Sequence, residues 1–287
     1  MAQGIKADIS EETLSNLLKT NTVKEIAKIL NVSETTIKRY KIKYGLKANL
    51  NITKQRNSEK HTIYKCNENY FDTIDTLNKA YLLGFLCADG FVTDRNEIGI
   101  GVSLKDIDII KFFQQELQSD KPIRVVEDTQ YPTAELRIQN YQLVENVKKY
   151  RIVPKKSLIL DIEKVIQLAK LNDKQISVFL LGYFDGDGCI SIAHNQTTQK
   201  EYFEINVTGT KETIEYYKKY FNNHGTITKR YKDNKNNFTL QMSNNYSTIY
   251  NALNKIYKYK DEITFCLDRK YQKFEKLENK VLLNSDI

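Results

Sequence analysis

Two nine-residue segments of this chain, Leu82–Gly90 (LLGFLCADG) and Leu180–Gly188 (LLGYFDGDG), are near copies of each other. Each is an apolar run with an embedded glycine that ends in a small residue, an aspartate and a glycine. The apolar part predicts a helix. The final glycine is placed to stop it, because glycine enters the left-handed conformation at little cost. Gly84 and Ala88 stand four residues apart, as do Gly182 and Gly186, so each helix carries small residues along one face. Such stripes let two helix backbones approach closely. If the two helices pair, Asp89 and Asp187 arrive side by side at one end. Carboxylates at helix C-termini oppose the helix dipole and repel each other, so the arrangement points to a divalent cation between them.

These residues resemble the LAGLIDADG motif of homing endonucleases and intron maturases. The resemblance implies paired motif helices at the interface of two pseudo-symmetric halves. It also implies that the acid in the eighth place of each motif, Asp89 and Asp187, binds the metal ions that cleave DNA. The glycines that follow, Gly90 and Gly188, are expected in the metal site beside them. Cys87 stands where the family usually has an acid in the sixth place, a position Asp185 keeps. Implied cofactors are Mg²⁺, with Mn²⁺ as a substitute and Ca²⁺ supporting binding without cleavage. Basic side chains assist in the family at varying positions. Lys156 lies where related enzymes often place one, and Lys258 and Lys260 occupy the corresponding stretch of the second half. A solvated surface role competes for each of these lysines.

From Asp89 to Asp187 the period is 98 residues, and the elements between recur in step. Glu97–Leu104 alternates as a strand does, Asp106 is placed to cap a helix over 107–117, strands fall at 123–127 and 134–139, and a helix at 141–150. The second half repeats this with a strand at 201–208, a helix at 211–221, strands at 226–231 and 238–243, and a helix at 246–257. A closing helix is expected over 267–277, where Leu267–Tyr271 forms a basic patch suited to packing or phosphate contact. The fold expected is α+β: a pseudo-twofold pair of αββαββα half-domains over 75–160 and 176–287, joined by 161–175.

Ahead of them, 1–47 predicts a small all-α unit. Thr22 and Glu25 form a capping box, Ser33 caps the next helix and Gly45 ends it. Ile26, Ala27, Leu30, Val32, Ile37 and Tyr40 fall at inward positions, and Asn31 suits a left-handed turn. The unit resembles the DNA-binding helix-turn-helix of bacterial regulators and recombinases. Thr35, Thr36, Lys38, Arg39 and Lys41 are the expected contacts to bases and phosphates. Such three-helix units also serve as protein-contact modules. Residues 48–74, with Lys54, Arg56, Lys60 and Lys65, are expected to form a basic linker.

In the strands, inward Leu136, Ile138, Leu240 and Met242 place Arg137, Gln139, Thr239 and Gln241 outward. Arg124, Thr228 and Arg230 follow from the third strands. Arginine, glutamine and threonine on an open sheet suit base edges in the major groove. Two different sheets in one chain imply a long, asymmetric duplex target. The net charge of +8, from 44 Lys and Arg against 36 Asp and Glu, favours a polyanionic partner.

Other chemistries find no support. Cys66, Cys87, Cys189 and Cys266 lack paired spacing, and His61, His194 and His224 lack metal-ligand spacing. No phosphate-binding loop follows a strand, and no apolar run approaches the roughly 18 residues of a membrane span. A cytoplasmic monomer of bacterial or phage origin, free-standing or intron-encoded, is expected. The leading function is a site-specific, metal-dependent double-strand DNA endonuclease. A non-cleaving transcription regulator on the same scaffold and an RNA-splicing maturase are the alternatives.

Overall fold

Side-chain caps set where the helices of this protein begin. In the computed structural model, which describes residues 8–50, 52–53, 64–194, 201–230, 236–243 and 245–285, Ser10, Thr22 and Ser33 cap three helices. These are α1 (Glu11–Thr20), α2 (Val23–Ile29) and α3 (Glu34–Lys43). The capping box is formed: Thr22 N–H donates to the Glu25 carboxylate at 2.8 Å, and Glu25 N–H to the Thr22 hydroxyl at 3.3 Å. Asn31 takes φ 50° in the turn and Gly45 takes φ 65° past α3. Leu14, Leu18, Ile26, Ala27 and Ile37 form a separate core, against which Leu30, Val32 and Tyr40 pack. Leu46 and Ala48 pack on it too, so this unit extends past residue 47.

The second unit begins at Tyr64, not after residue 74. Tyr70, Phe71 and Ile74 are buried in its core, and the Asn67 N–H donates to the Leu117 carbonyl at 2.7 Å. Scattered polar residues hid these anchors, because no periodic pattern surrounds them. Lys54, Arg56, Lys60 and His61 lie outside the described residues.

In this unit the order is α4 (Leu77–Ala88), β1 (Gly90–Val92), β2 (Glu97–Ser103), α5 (Ile107–Glu116), β3 (Arg124–Val126), β4 (Thr133–Gln139) and α6 (Tyr141–Lys148). After α7 (Ile162–Ala169), within the expected joining segment, the order recurs. It runs α8 (Asp173–Asp187), β5 (Gly188–His194), β6 (Glu201–Gly209), α9 (Lys211–Tyr220), β7 (Thr226–Lys229), β8 (Phe238–Ser243) and α10 (Tyr246–Tyr257). Helix α11 (Asp268–Ser285) closes the chain and runs past the expected end at 277. The expected strand end at Tyr231 lies outside the described residues.

Two antiparallel sheets result, in the orders β1-β2-β4-β3 and β5-β6-β8-β7. Equivalent topology in both halves makes a pseudo-twofold pair. The registers Ile98↔Ile138, Ile100↔Leu136, Val207↔Leu240 and Ile205↔Met242 keep apolar side chains on the core face of each sheet. All eight of these residues are buried.

Helices α4 and α8 pack against each other without side chains between them at two points. A Cβ on Gly84 would lie 1.9 Å from the Phe179 carbonyl oxygen, and one on Gly182 would lie 2.0 Å from that of Tyr81. Farther along, a Cβ on Gly186 would come within 2.4 Å of the Ala88 Cβ. The small-residue stripes are therefore the crossing surface, and the approach is close enough that only glycine fits.

The motif's last glycines act differently from expectation. Neither Gly90 nor Gly188 has a positive φ; Gly188 is extended, at φ −96° and ψ 162°. Each starts a strand directly from the helix end. A Cβ on Gly90 would lie 2.6 Å from the Leu86 Cα, and one on Gly188 would lie 2.5 Å from the Phe184 carbonyl oxygen. Glycine is needed here for a tight helix-to-strand junction, not for left-handed backbone.

Candidate active site

The shared crossing fixes where the two carboxylates go. Asp89 is the C-cap of α4 and Asp187 the last residue of α8. The Gly186 position faces Asp89, whose Cγ would lie 3.4 Å from a Cβ there. Asp89 reaches the surface and Asp187 is half-buried. Loss of water raises both carboxyls above the ordinary carboxylate range. Asp187 is pushed up to about 6, first by desolvation and then by the neighbouring charge of Asp89.

Two buried lysines flank this pair. Lys156, 4% exposed, donates to the Ala88 carbonyl at 3.0 Å. Burial pulls its ammonium down, and Asp187 and Asp89 pull it partly back. It is not a solvated surface lysine. Lys270, 2% exposed, donates to the carbonyls of Phe184, Asp185 and Gly188 at 2.7, 2.6 and 2.6 Å. Desolvation lowers it to about 8. Both ammonium groups stabilise the charged forms of Asp89 and Asp187.

Lys270 falls in the basic patch for which the sequence implied packing or phosphate contact. Lys258 and Lys260, expected at that place, lie over the rings of Tyr259 and Tyr271 instead. Lys270 enters its half from α11, whereas Lys156 enters from the short turn after α6, so the 98-residue period does not connect them. A signal was present nonetheless. Leu267, Lys270, Phe274 and Leu277 recur at helical spacing, and the three apolar members are buried. A lysine on that stripe had to be buried with them.

The Gly188 carbonyl is bound by the Lys270 ammonium, so the expectation that Gly188 joins a metal site meets a competing cation. Asp106 is another departure. It sits before α5 but makes no side-chain cap. Its carboxylate accepts a two-pronged contact from Arg269, at 2.6 and 2.8 Å.

Among the described residues there is no cluster of three or more His, Cys, Asp or Glu able to hold a metal. The pair Asp89 and Asp187 fits a hard divalent cation rather than zinc. Its donors are carboxylate oxygens, and a cation between them would offset the desolvation and mutual repulsion that raise both groups. The remaining ligands would be water, main-chain oxygen and phosphate, which Mg²⁺ commonly retains.

The open faces of the sheets carry the expected polar residues unequally. Arg124, Thr228 and Arg230 are exposed; Gln139, Thr239 and Gln241 are half-buried. The third-strand register lines up Thr226, Gln241, Asn206 and Cys189 across one sheet. On the other, Arg137 is already engaged. It pairs with Glu135 at 2.7 Å and Glu97 at 3.6 Å, and its guanidinium lies 4.9 Å from the centre of the Phe91 ring. In the N-terminal unit Thr35, Lys38 and Arg39 are exposed and Lys41 is half-buried. Thr36 is tied to the Ser33 cap through its N–H and hydroxyl, which leaves it less available to bases.

The chain resembles known proteins in one direction. Residues 180–275 match the family model described as LAGLIDADG endonuclease. The fold is similar to that of the meganuclease I-SmaMI, solved bound to uncleavable DNA, at 15% identity and a TM-score of 0.50. The match covers 73% of this chain and 92% of that one. Two LAGLIDADG homing endonucleases solved with target DNA are also similar. I-GzeII is 10% identical (72% and 91% covered, TM-score 0.48) and I-LtrWI is 14% identical (76% and 92%, TM-score 0.48). A comparison with curated protein sequences found no match. The match to the LAGLIDADG endonuclease model thus covers residues 180–275, and the two halves of the chain share the LAGLIDADG pseudo-dimer fold.

Proposed function

We propose that this protein is a site-specific endonuclease that hydrolyses both strands of a long, asymmetric DNA duplex with the help of divalent metal. The observation that carries the reading is the convergence of Asp89 and Asp187 at one end of the α4–α8 crossing, with Lys156 and Lys270 buried beside them. A bound Mg²⁺ would neutralise charge on the phosphate and activate water for attack. Asp89 and Asp187 would hold it. Lys156 and Lys270 would place positive charge against the scissile phosphates, where negative charge builds up in the transition state. The open sheet faces would lie along the two half-sites, with Arg124, Thr228, Arg230 and Gln241 toward the bases. Arg137 would have to exchange Glu135 for a base or phosphate. The three N-terminal helices would extend the contact as a helix-turn-helix, through Thr35, Lys38, Arg39 and Lys41.

Both acids are present, which favours cleavage over a purely regulatory use of the scaffold. Selection of cleaved sites from a random duplex library with Mg²⁺ tests the reading. Recovery of one long asymmetric site cut on both strands is expected. Recovery of bound but uncut duplexes at all metal concentrations would overturn it in favour of the regulator.

A further inference from the structure

The second lysine is aimed from another helix. Asp185, 1% exposed, lies on α8 one turn from the crossing glycine Gly182. Its Oδ2 accepts the Tyr81 hydroxyl of α4 at 2.7 Å and the Leu267 main-chain N–H at 2.9 Å. Leu267 immediately precedes α11, and its carbonyl accepts the Lys270 N–H at 2.9 Å. The first N–H groups of a helix find no partner inside it, and an anion there also meets the positive end of the helix dipole. Asp185 therefore caps α11 from outside and ties its first turn to the α4–α8 pair. The Lys270 side chain then runs back to three carbonyls around the end of α8. The other carboxylate oxygen, Oδ1, is buried with no protein partner. An apolar side chain would avoid that desolvation, so packing alone gives no reason for an acid here.

Nothing equivalent stands in the first half. The matching place is held by Cys87, 2% exposed, whose sulfur is a weak acceptor. Lys156 is placed by a different device. It opens a 3-10 turn (Lys156–Leu158) that follows Lys155, itself left-handed at φ 62°. From there it reaches the Ala88 carbonyl.

We propose that Asp185 is a positioning residue for one cleavage half only: its carboxylate fixes the start of α11 and so aims Lys270, while Lys156 is aimed independently. This rests on the endonuclease reading given above, and its first test needs no cleavage. The full-length protein is labelled with acetic anhydride and the lysines are quantified by mass spectrometry, each variant well below its own melting temperature. Asp185→Ala should raise Lys270 labelling about tenfold, the scale of removing one charged hydrogen bond, with Lys156 unchanged. Asp185→Asn keeps an oxygen able to accept from both Tyr81 and Leu267, and should restore most of the protection. Tyr81→Phe removes only one hydroxyl and should give a smaller rise at Lys270 alone; it serves if the alanine variant does not fold. Lys270 labelling that stays flat, or rises together with Lys156, would overturn the proposal.

On a duplex target selected with the unaltered protein and Mg²⁺, Asp185→Ala should accumulate nicks in one strand. Equal slowing on both strands would again overturn the positioning role. A parent protein that never cuts would strike the endonuclease reading and leave the labelling result to decide.

Discussion

Replacing Asp187 by asparagine should stabilise the metal-free protein while it destroys the cleavage proposed above. Asp187 is raised from an ordinary 3.8 to about 6, chiefly by desolvation and then by Asp89, even with Lys156 and Lys270 opposing. Roughly two units at about 1.4 kcal/mol each amount to ~3 kcal/mol against carrying the charge above pH 7. Because the side chain is half-buried rather than sealed, about 1–3 kcal/mol should be recoverable. At about 2–4 °C per kcal/mol for a unit of this size, the variant should melt about 2–12 °C higher in chelator at pH 8. The sign follows from linkage. A folded-state value above the unfolded one means the native protein binds more protons between pH 3.8 and 6. Stability therefore falls as pH rises through that window and is level above it. Asp185, also raised to about 6, and Asp89, raised as well, keep slopes of the same sign in the variant, so the pH dependence should be reduced rather than removed. Added Mg²⁺ should raise the melting temperature of the parent protein and not of the variant. Calorimetry in chelator and in Mg²⁺, at pH 5 and 8, measures all of this. A variant that melts at or below the parent in chelator at pH 8 would refute the charge-crowding argument.

Asp89→Asn and Asp187→Asn should each abolish double-strand cleavage while specific binding in Ca²⁺ survives, measured by gel shift and product analysis on a selected target. Full cleavage by either variant would remove the acids from the chemistry. Lys270→Met should slow cleavage about 10²-fold, the scale of removing one charged group from the transition state; single-turnover kinetics would show it. Gly84→Leu or Gly182→Leu should destabilise the fold by a few kcal/mol, because the first added carbon already meets a carbonyl oxygen 1.9 or 2.0 Å away. An unchanged melting temperature would contradict the crossing geometry. Removing everything before Tyr64 should leave a folded nuclease with weaker binding, a footprint shortened on one side and an unmoved cleavage position. If Lys38, Arg39 and Lys41 touch phosphates, the salt dependence should flatten by about one unit for each phosphate no longer neutralised. An identical footprint and salt slope would assign the three helices to another partner.

The crossing, the two carboxylates and both sheets were legible because each is written in local sequence. Gly84 and Gly182 sit four residues from Ala88 and Gly186, and that spacing alone places them on one helix face. Strand alternation through Leu136, Ile138, Leu240 and Met242 is equally local, and the inward residues were found where they were expected. What escaped depends on interactions between distant segments. Asp106 has the residue type and position of a helix cap, but Arg269, far away in sequence, claims both of its oxygens. Phe71 lies in a polar stretch that shows no period, yet it is wholly buried beneath a core assembled from later elements. Local pattern cannot rank a cap against a distant guanidinium, or an isolated aromatic against solvent.

The two lysines show the same limit from the side of function. Pseudo-symmetry suggested that each half repeats the other, and for the helices and sheets it does. The charged groups around the acids do not repeat. One half has Cys87 and a lysine on a turn; the other has Asp185 and a lysine on the closing helix. The backbone repeats between the halves, and packing at Gly84 and Gly182 leaves it no freedom at the crossing. Nothing in that packing fixes where an ammonium must come from, provided it ends near the carboxylates. Each half can therefore adopt its own solution, and on the endonuclease reading proposed above the two strands need not be cut equally even though the scaffold is nearly symmetric.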